Sequence, residues 1–211
     1  MPVKVMLISP ALNAALREAR FDGDAPLDAA GARRARGVAA AVPAADRYLC
    51  GPSERCAGTA DALGLRAGPE PAFRGWDMGR WSGRRLAAVS AAEPEAVSAW
   101  LTDPSAVPHG GESLLDLCLR AEHWLETVGA TGSAEGAGGH RVLGVVEPAV
   151  VRAMMVAALA LPVEAFWRLD VAPLTLTALS GRSGRWNLRC GQPLSPMPDP
   201  APSSSGCDTV G

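Results

Sequence analysis

Apolar and polar residues are distributed along the chain in two patterns that follow one another. Continuous apolar runs at residues 3–8, 47–50 and 142–146 are typical of buried strands. Segments with apolar residues on one face predict helices, and these cover residues 28–42, 53–63, 94–101, 113–128 and 148–161. Strands that alternate with helices predict an α/β fold, a mostly parallel sheet between two helical layers (three-layer αβα).

The C-terminal part of the chain has a different pattern. Residues 174–179 and 185–189 alternate and predict an edge hairpin. Pro, Ser and Gly then dominate, and such a composition cannot bury a core. We therefore expect one domain over residues 1–191 and a disordered tail over 192–211.

Composition narrows the function classes. The formal net charge of −2 gives no electrostatic reason to expect a nucleic acid or an anionic membrane as partner. The five cysteines are scattered and form no metal-binding pattern, so no cofactor or metal is expected. The first residues are typical of a strand rather than a signal peptide, and a cytoplasmic location is the expectation.

The carboxyl ends of the predicted parallel strands mark the expected site. Ligands of such sheets bind where strands end, and here the strands end in Ser9-Pro10, Cys50-Gly51 and Glu147. Pro10 has no ionisable group and no backbone N–H. A long Gly-, Trp- and Arg-rich loop over residues 69–85 and a second loop over 109–113 are placed to cover this edge.

Five short segments occur in a characteristic order and spacing. They are Ala25–Gly31 (APLDAAG), Gly51–Ala60 (GPSERCAGTA), Asp77–Arg84 (DMGRWSGR), Pro108–Ser113 (PHGGES) and Val145–Arg152 (VVEPAVVR). Together they resemble the histidine phosphatase superfamily over roughly residues 3–191, with greatest similarity to the α-ribazole-phosphatase type. The resemblance implies the phosphoglycerate mutase-like fold.

The resemblance also implies a phosphate site, but with altered residues. Family members use a histidine after the first strand as the nucleophile, arginines and a second histidine to bind phosphate, and a glutamate as the acid. Matched position by position, the first arginine becomes Ser9, the nucleophile Pro10, the acid Gly75 and the second histidine Glu147, whereas Arg55 is retained. The chain thus resembles a divergent member that lacks the catalytic histidines.

Two charged residues dominate what is left of that site. We expect Arg55 and Glu147 to form a closed ion pair, with the Glu147 carboxylate capping the helix that begins at residue 148. Glu147 would repel a phosphate by about 4 kcal/mol for each pair of unit charges 4 Å apart. Alternatively, Glu147 acts as a base or a metal ligand, and Arg55 binds an anionic ligand.

Other candidate residues lie in the covering loops. His109 and Glu112 are ligand-binding candidates near the expected mouth, and a plain surface role is the alternative. Tryptophans could line a pocket for a flat ligand or simply pack in the core. The tryptophans are Trp76, Trp81, Trp100, Trp124, Trp167 and Trp186.

These residues lead to two functional interpretations. The first is a catalytically degenerate pseudophosphatase that binds a small anionic metabolite or a protein partner without phosphohistidine turnover. The second is a phosphatase or other hydrolase with a rearranged active site that uses Arg55, Glu147, His109 and Glu112. A link to cobalt or cobalamin metabolism is a further alternative, which rests on the resemblance alone. The oligomeric state stays open.

Overall fold

A six-stranded sheet forms the centre of the molecule. The computed structural model describes residues 2–21, 23–131, 140–182 and 184–195. The strands are β1 Val3–Ile8, β2 Arg47–Cys50, β3 Gly68–Pro69, β4 Arg141–Val145, β5 Thr175–Arg182 and β6 Arg185–Pro193. Their order is β3-β2-β4-β1-β5-β6. The first four strands in this order are parallel to one another, β5 is antiparallel to β1, and β6 is antiparallel to β5.

Helices cover both faces of this sheet. They are α1 Ala14–Arg17, α2 Ala29–Gly37, α3 Glu54–Ala62, α4 Leu86–Ala92, α5 Pro94–Thr102, α6 Leu114–Thr131 and α7 Pro148–Ala158. Along β1, Val5 and Leu7 pack with α6 and α7, whereas Met6 and Ile8 pack with α2 and α3. The alternation follows from the two-residue period of a strand. The predicted three-layer α/β fold with a mostly parallel sheet is confirmed.

The C-terminal hairpin lies differently from the prediction. Strand β5 is not at the edge, because it pairs with β1; of the two hairpin strands, it is β6 that lies at an edge of the sheet. The backbone N–H of Leu194 donates to the Leu174 carbonyl (3.0 Å), and the Leu194 side chain is buried. The ordered sheet thus continues a few residues past the domain boundary predicted at residue 191. Residues 196–211 of the predicted tail lie outside the described residues, so the tail stays a prediction.

A third, smaller core lies beneath the long loop after β3. Met78 and Trp81 of this loop pack against Val89 of α4 and against Val97 and Trp100 of α5. The sequence pattern did not predict α4. This small core fixes the loop beside the carboxyl edge of the sheet, where the candidate site lies. Among the described helices, none combines the length and the apolarity that a membrane span requires.

Candidate functional site

The expected site forms where three parallel strands end together. Strand β1 ends at Ile8, β2 at Cys50 and β4 at Val145, and β4 lies between the other two. Arg55 lies in the first turn of α3, and Glu147 directly precedes α7. Since both helices start just after their strands, the two side chains meet above this edge.

Arg55 and Glu147 form a buried ion pair. Their side chains are only 4% and 5% exposed. Arg55 Nη2 donates to Glu147 Oε2, and Arg55 Nε donates to Oε1 (3.3 Å). Ser53 Oγ adds a hydrogen bond to the same Oε1 (2.8 Å). The predicted closed pair is confirmed, and its carboxylate accepts donors on both oxygens.

The expected helix cap is wrong in one respect. Glu147 occupies the N-cap position of α7, but no hydrogen bond joins its side chain to the described backbone of that helix. The carboxylate turns instead to Arg55 and Ser53, because a charged donor stabilises it more than a neutral one.

Ser9 and Pro10 are buried structural residues. Ser9 is fully buried, and its Oγ accepts from the Thr175 N–H (3.2 Å) and donates to the Ala172 carbonyl. Pro10 is buried as well, and neither residue is among the described ones that line the cavities above this edge. Ser9 therefore joins β1 to the start of β5 and has no histidine partner there to make it a nucleophile.

A cavity of about 290 Å³ opens next to the ion pair. Arg55 and Glu147 line it together with two further arginines, Arg20 and Arg152, and a group of aromatic side chains. Arg20 is already paired with Glu18 (2.9 Å), whereas no described carboxylate lies within ion-pairing distance of Arg152. Burial lowers the pKa of Arg152, and nearby Asp170 opposes this effect only in part.

A second cavity, of about 380 Å³, adjoins the first at Trp76. Gly75, the residue expected at the family's acid position, lines it together with Asp24 and Ser53. Ser53 thus contacts both this cavity and Glu147. The ion pair itself lines the first cavity, whereas the second is connected to it through Ser53.

Glu112 lies outside these cavities and has a structural role. Arg120 donates to both of its carboxylate oxygens (2.9 and 2.7 Å), and Arg74 donates to one of them (2.9 Å). The Glu112 backbone carbonyl accepts the indole N–H of Trp76 (2.8 Å). The Glu112 segment therefore holds Trp76, which lines both cavities, while Glu112 itself lines neither.

His109 is buried in the third core rather than exposed at the mouth. It is 2% exposed, its Nδ1 accepts the Gly111 N–H (3.0 Å), and its ring lies 5.2 Å from the ring of Trp81. Its Nε2 has no partner among the described residues. Burial lowers the pKa of His109, and Arg80 adds to this effect while Asp77 opposes it.

The buried histidine makes stability depend on pH. Because its pKa is lower in the folded protein than the unfolded value of about 6.5, unfolded chains bind the proton more readily below that pH. We expect the free energy of unfolding to fall as pH drops below about 6.5, and His109→Gln to reduce that fall. Urea unfolding of the wild type and of His109→Gln at pH 7.5 and 5.5 measures this change in the free energy of unfolding. The exposed His123 provides the control His123→Gln, and an equal change in both variants would contradict this assignment.

Cys50 is an inert residue of the core. It ends β2 at the site, but burial raises the pKa of its thiol to about 12, with smaller contributions from Cys56 and Asp61. A thiol with so high a pKa is almost wholly protonated at neutral pH and is a poor nucleophile. Within the described ranges, His, Cys, Asp and Glu side chains form no group that could hold a metal ion.

One cavity residue, Arg152, was not predicted from the sequence as a ligand group. It lies on α7 one turn after Pro148 and Ala149, so the three residues share a helix face. A single charge within an otherwise apolar helix was the available signal. The aromatic residues that line the cavity come from segments far apart in the sequence, so no local sequence pattern predicts that they meet there.

Comparison with known families identifies the class of protein to which this three-layer fold belongs. The chain matches the histidine phosphatase superfamily (branch 1) over residues 11–191, and it belongs to that family. Among curated proteins, it is 33% identical over 156 residues to a glucosyl-3-phosphoglycerate phosphatase of Mycolicibacterium vanbaalenii, covering 69% of each chain.

Solved structures show the same fold. A mycobacterial glucosyl-3-phosphoglycerate phosphatase superposes with a TM-score of 0.78 at 23% identity, covering 92% of this chain and all of that one. An α-ribazole phosphatase from Shigella flexneri superposes with a TM-score of 0.78 at 21% identity, covering 92% of this chain and 98% of the other. The predicted phosphoglycerate mutase-like fold, with an α-ribazole phosphatase among its structural neighbours, is confirmed.

The comparisons overturn the first functional interpretation. The relatives that the chain matches are named as phosphatases, and the expectation of a catalytically degenerate pseudophosphatase is therefore wrong. That expectation treated loss of the family's histidines as loss of all chemistry. The structure instead retains a buried arginine and a carboxylate that both reach a cavity, which accords with the alternative of a hydrolase with a rearranged site.

Proposed function

We propose that this protein hydrolyses phosphate monoesters of small metabolites through a rearranged active site. The observation that carries the proposal is the Arg55–Glu147 pair, which lies at the carboxyl edge of the sheet and lines a ligand-sized cavity. Membership of the histidine phosphatase superfamily supports the reaction class. An arginine at this position matches the arginine with which family members bind phosphate.

The reaction proceeds without a phosphohistidine. Ser9-Pro10 stands where the family motif has arginine and the nucleophilic histidine, and a proline side chain cannot accept a phosphoryl group. Ser9 is buried against the start of β5 and cannot substitute for it. A water molecule is therefore the nucleophile.

Arg55 and Glu147 divide the chemistry between them. A phosphoryl oxygen draws Arg55 Nη2 away from Glu147 Oε2. Glu147 Oε2 then accepts a proton from the attacking water. The water oxygen forms a bond to phosphorus as the bond between phosphorus and the ester oxygen breaks. The leaving oxygen takes a proton from solvent, Glu147 returns its proton to solvent, and the products are an alcohol and inorganic phosphate.

The carboxylate has an electrostatic cost that the arginines offset. A phosphate charge 4 Å from Glu147 is repelled by about 4 kcal/mol at the effective dielectric near a protein surface. Arg55 at a similar distance provides an attraction of the same size. Arg152, which makes no ion pair with a described carboxylate and is only partly offset by Asp170, makes the cavity more favourable to an anion.

Glu147→Gln tests the role of the base. The amide keeps the shape of the side chain but cannot accept the proton, and we expect kcat for a phosphate monoester to fall by about 10²–10⁴-fold. The panel includes glucosyl-3-phosphoglycerate and α-ribazole 5′-phosphate, named for the relatives, with released phosphate as the readout. Turnover of α-ribazole 5′-phosphate would favour the link to cobalamin metabolism. That ester as substrate would also be consistent with the proposed cytoplasmic location.

Glu112→Gln is the matched control for this variant. Glu112 is another buried, arginine-paired carboxylate, but it lies outside both cavities. We expect its kcat, corrected for folded protein, to stay near that of the wild type. If wild-type protein releases no phosphate from any ester in the panel, or if Glu147→Gln leaves kcat unchanged, the proposed function is wrong.

A further inference from the structure

One wall of the 290 Å³ cavity is a continuous aromatic surface. The ring centroids of Trp76 and Trp100 are 5.4 Å apart, and those of Trp100 and Trp167 are 4.7 Å apart. Phe21 packs on the edge of Trp100 at 5.7 Å, and Phe166 lies 5.2 Å from Trp167. These five residues are called the aromatic wall below. Each of them lines the cavity.

Two residues that line this cavity each carry a buried polar atom without a partner. The indole Nε1 of Trp100 and the guanidinium Nε of Arg152 have no hydrogen-bond partner among the described residues. Trp100 is 8% exposed, and Arg152 stacks over Phe166 with its Cζ 5.4 Å from the ring centroid. A buried donor without a partner is costly, and native proteins rarely retain one without a reason. Both atoms are N–H donors, and a ligand that satisfies them must offer acceptors.

We infer that this cavity binds the organic part of the substrate, and that this part is a small planar aromatic acid. Its ring lies against the aromatic wall, where stacked or edge-to-face contacts add to apolar burial. Its carboxylate accepts from Arg152 and Trp100, and its phosphorylated oxygen points to Arg55. This inference rests on the proposed function, because it names the substrate class of the same site.

The size of the cavity limits the ligand. Pockets for small molecules are commonly about 300–1,000 Å³, and this one, at about 290 Å³, lies at the lower end. One ring or two fused rings fit this size. The charge also limits the ligand. Arg55 is paired with Glu147, and Arg20 is paired with Glu18, which Arg85 shares. Arg152 makes no ion pair with a described carboxylate, although Asp170 is near enough to act on it electrostatically.

Calorimetric titration with 6-hydroxy-2-naphthoate tests the site without any catalysis. This probe has two fused rings, a carboxylate and an unphosphorylated oxygen, whereas 2-naphthol lacks only the carboxylate. We expect the naphthoate to bind at least about 10-fold more tightly than the naphthol, as one charge-assisted contact provides. Equal affinities, or no binding of either compound by the folded protein, would overturn the inference.

Two conservative variants assign the contacts. Arg152→Gln removes the charge and should weaken naphthoate binding by at least about 10-fold, and Trp100→Phe keeps a ring but removes the N–H and should weaken it by about 3–10-fold. Arg168→Gln, an exposed arginine beside the wall, and Trp124→Phe, a buried tryptophan outside the cavity, are the controls. Losses equal to those of the controls would refute these two contacts.

Hydrolysis separates this inference from the proposed function. We expect kcat/KM for 6-carboxy-2-naphthyl phosphate to exceed that for glycerol 2-phosphate by at least about 10-fold, because only the first reaches the aromatic wall and Arg152. Turnover of glycerol 2-phosphate without binding of the naphthoate would overturn the aromatic site and support the proposed function. Binding of the naphthoate without turnover of either ester would support the aromatic site and overturn the proposed function.

Discussion

Replacing Arg55 by alanine should lower the free energy of unfolding by about 3–5 kcal/mol, because it leaves a buried carboxylate without its cation. The Glu147 side chain is only 5% exposed and receives two of its hydrogen bonds from Arg55. Ser53 would remain as a neutral donor, which stabilises a carboxylate less than a guanidinium does. Urea unfolding at pH 7 measures the change.

A double variant separates the lost charge from the lost side chain. In Arg55→Leu with Glu147→Leu, both charges are gone and apolar groups fill their volume, so we expect most of the stability to return. The surface pair of Arg141 and Asp46 provides the comparison, since Arg141→Ala should cost no more than about 1 kcal/mol. A loss for Arg55→Ala within that small range would contradict the burial of the pair.

The ion pair could be predicted from the topology together with the family resemblance, which singled out Arg55 and Glu147. In a parallel sheet the ends of β1, β2 and β4 must lie at one edge, so residues that directly follow β2 and β4 come together wherever the loops go. Arg55 and Glu147 carry opposite charges at this edge, and the paired state has the lowest free energy because a buried charge without a partner is strongly destabilising. The same periodicity that defines the strands thus predicts both the layers and the centre of the site.

Which aromatic residues line the cavity beside the pair could not be predicted, because packing between distant loops creates it. Phe21, Trp76, Trp100 and Trp167 come from four separate segments, and nothing in their spacing places them together. For the same reason His109 was wrongly expected at the mouth. The close backbone contact of Gly79 with the His109 segment draws that loop into the third core, since a Cβ on Gly79 would lie 2.2 Å from the His109 carbonyl oxygen.

Trp81→Ala should have the second large effect, because Trp81 supports the aromatic wall from behind. It is fully buried, its ring centroid lies 5.5 Å from Phe21 and 5.8 Å from Trp100, and its indole N–H donates to Glu93 (3.2 Å). Truncating a buried tryptophan costs about 3–5 kcal/mol of unfolding free energy. Phe21 and Trp100 also lose their packing partner, so we expect weaker binding of 6-hydroxy-2-naphthoate under conditions where the variant is still folded.

Trp124→Ala shows whether the binding loss is specific. Trp124 is also buried in the main core, and the one ring contact found for it among the described residues is with Phe73, at 4.6 Å, which is not part of the aromatic wall. We expect a similar loss of unfolding free energy but unchanged affinity for the naphthoate, measured by calorimetry on the folded variants. Destabilisation alone then cannot account for weaker binding in Trp81→Ala. Equal affinities in the two variants would mean that the aromatic wall keeps its geometry without Trp81, and that packing from behind does not shape this cavity.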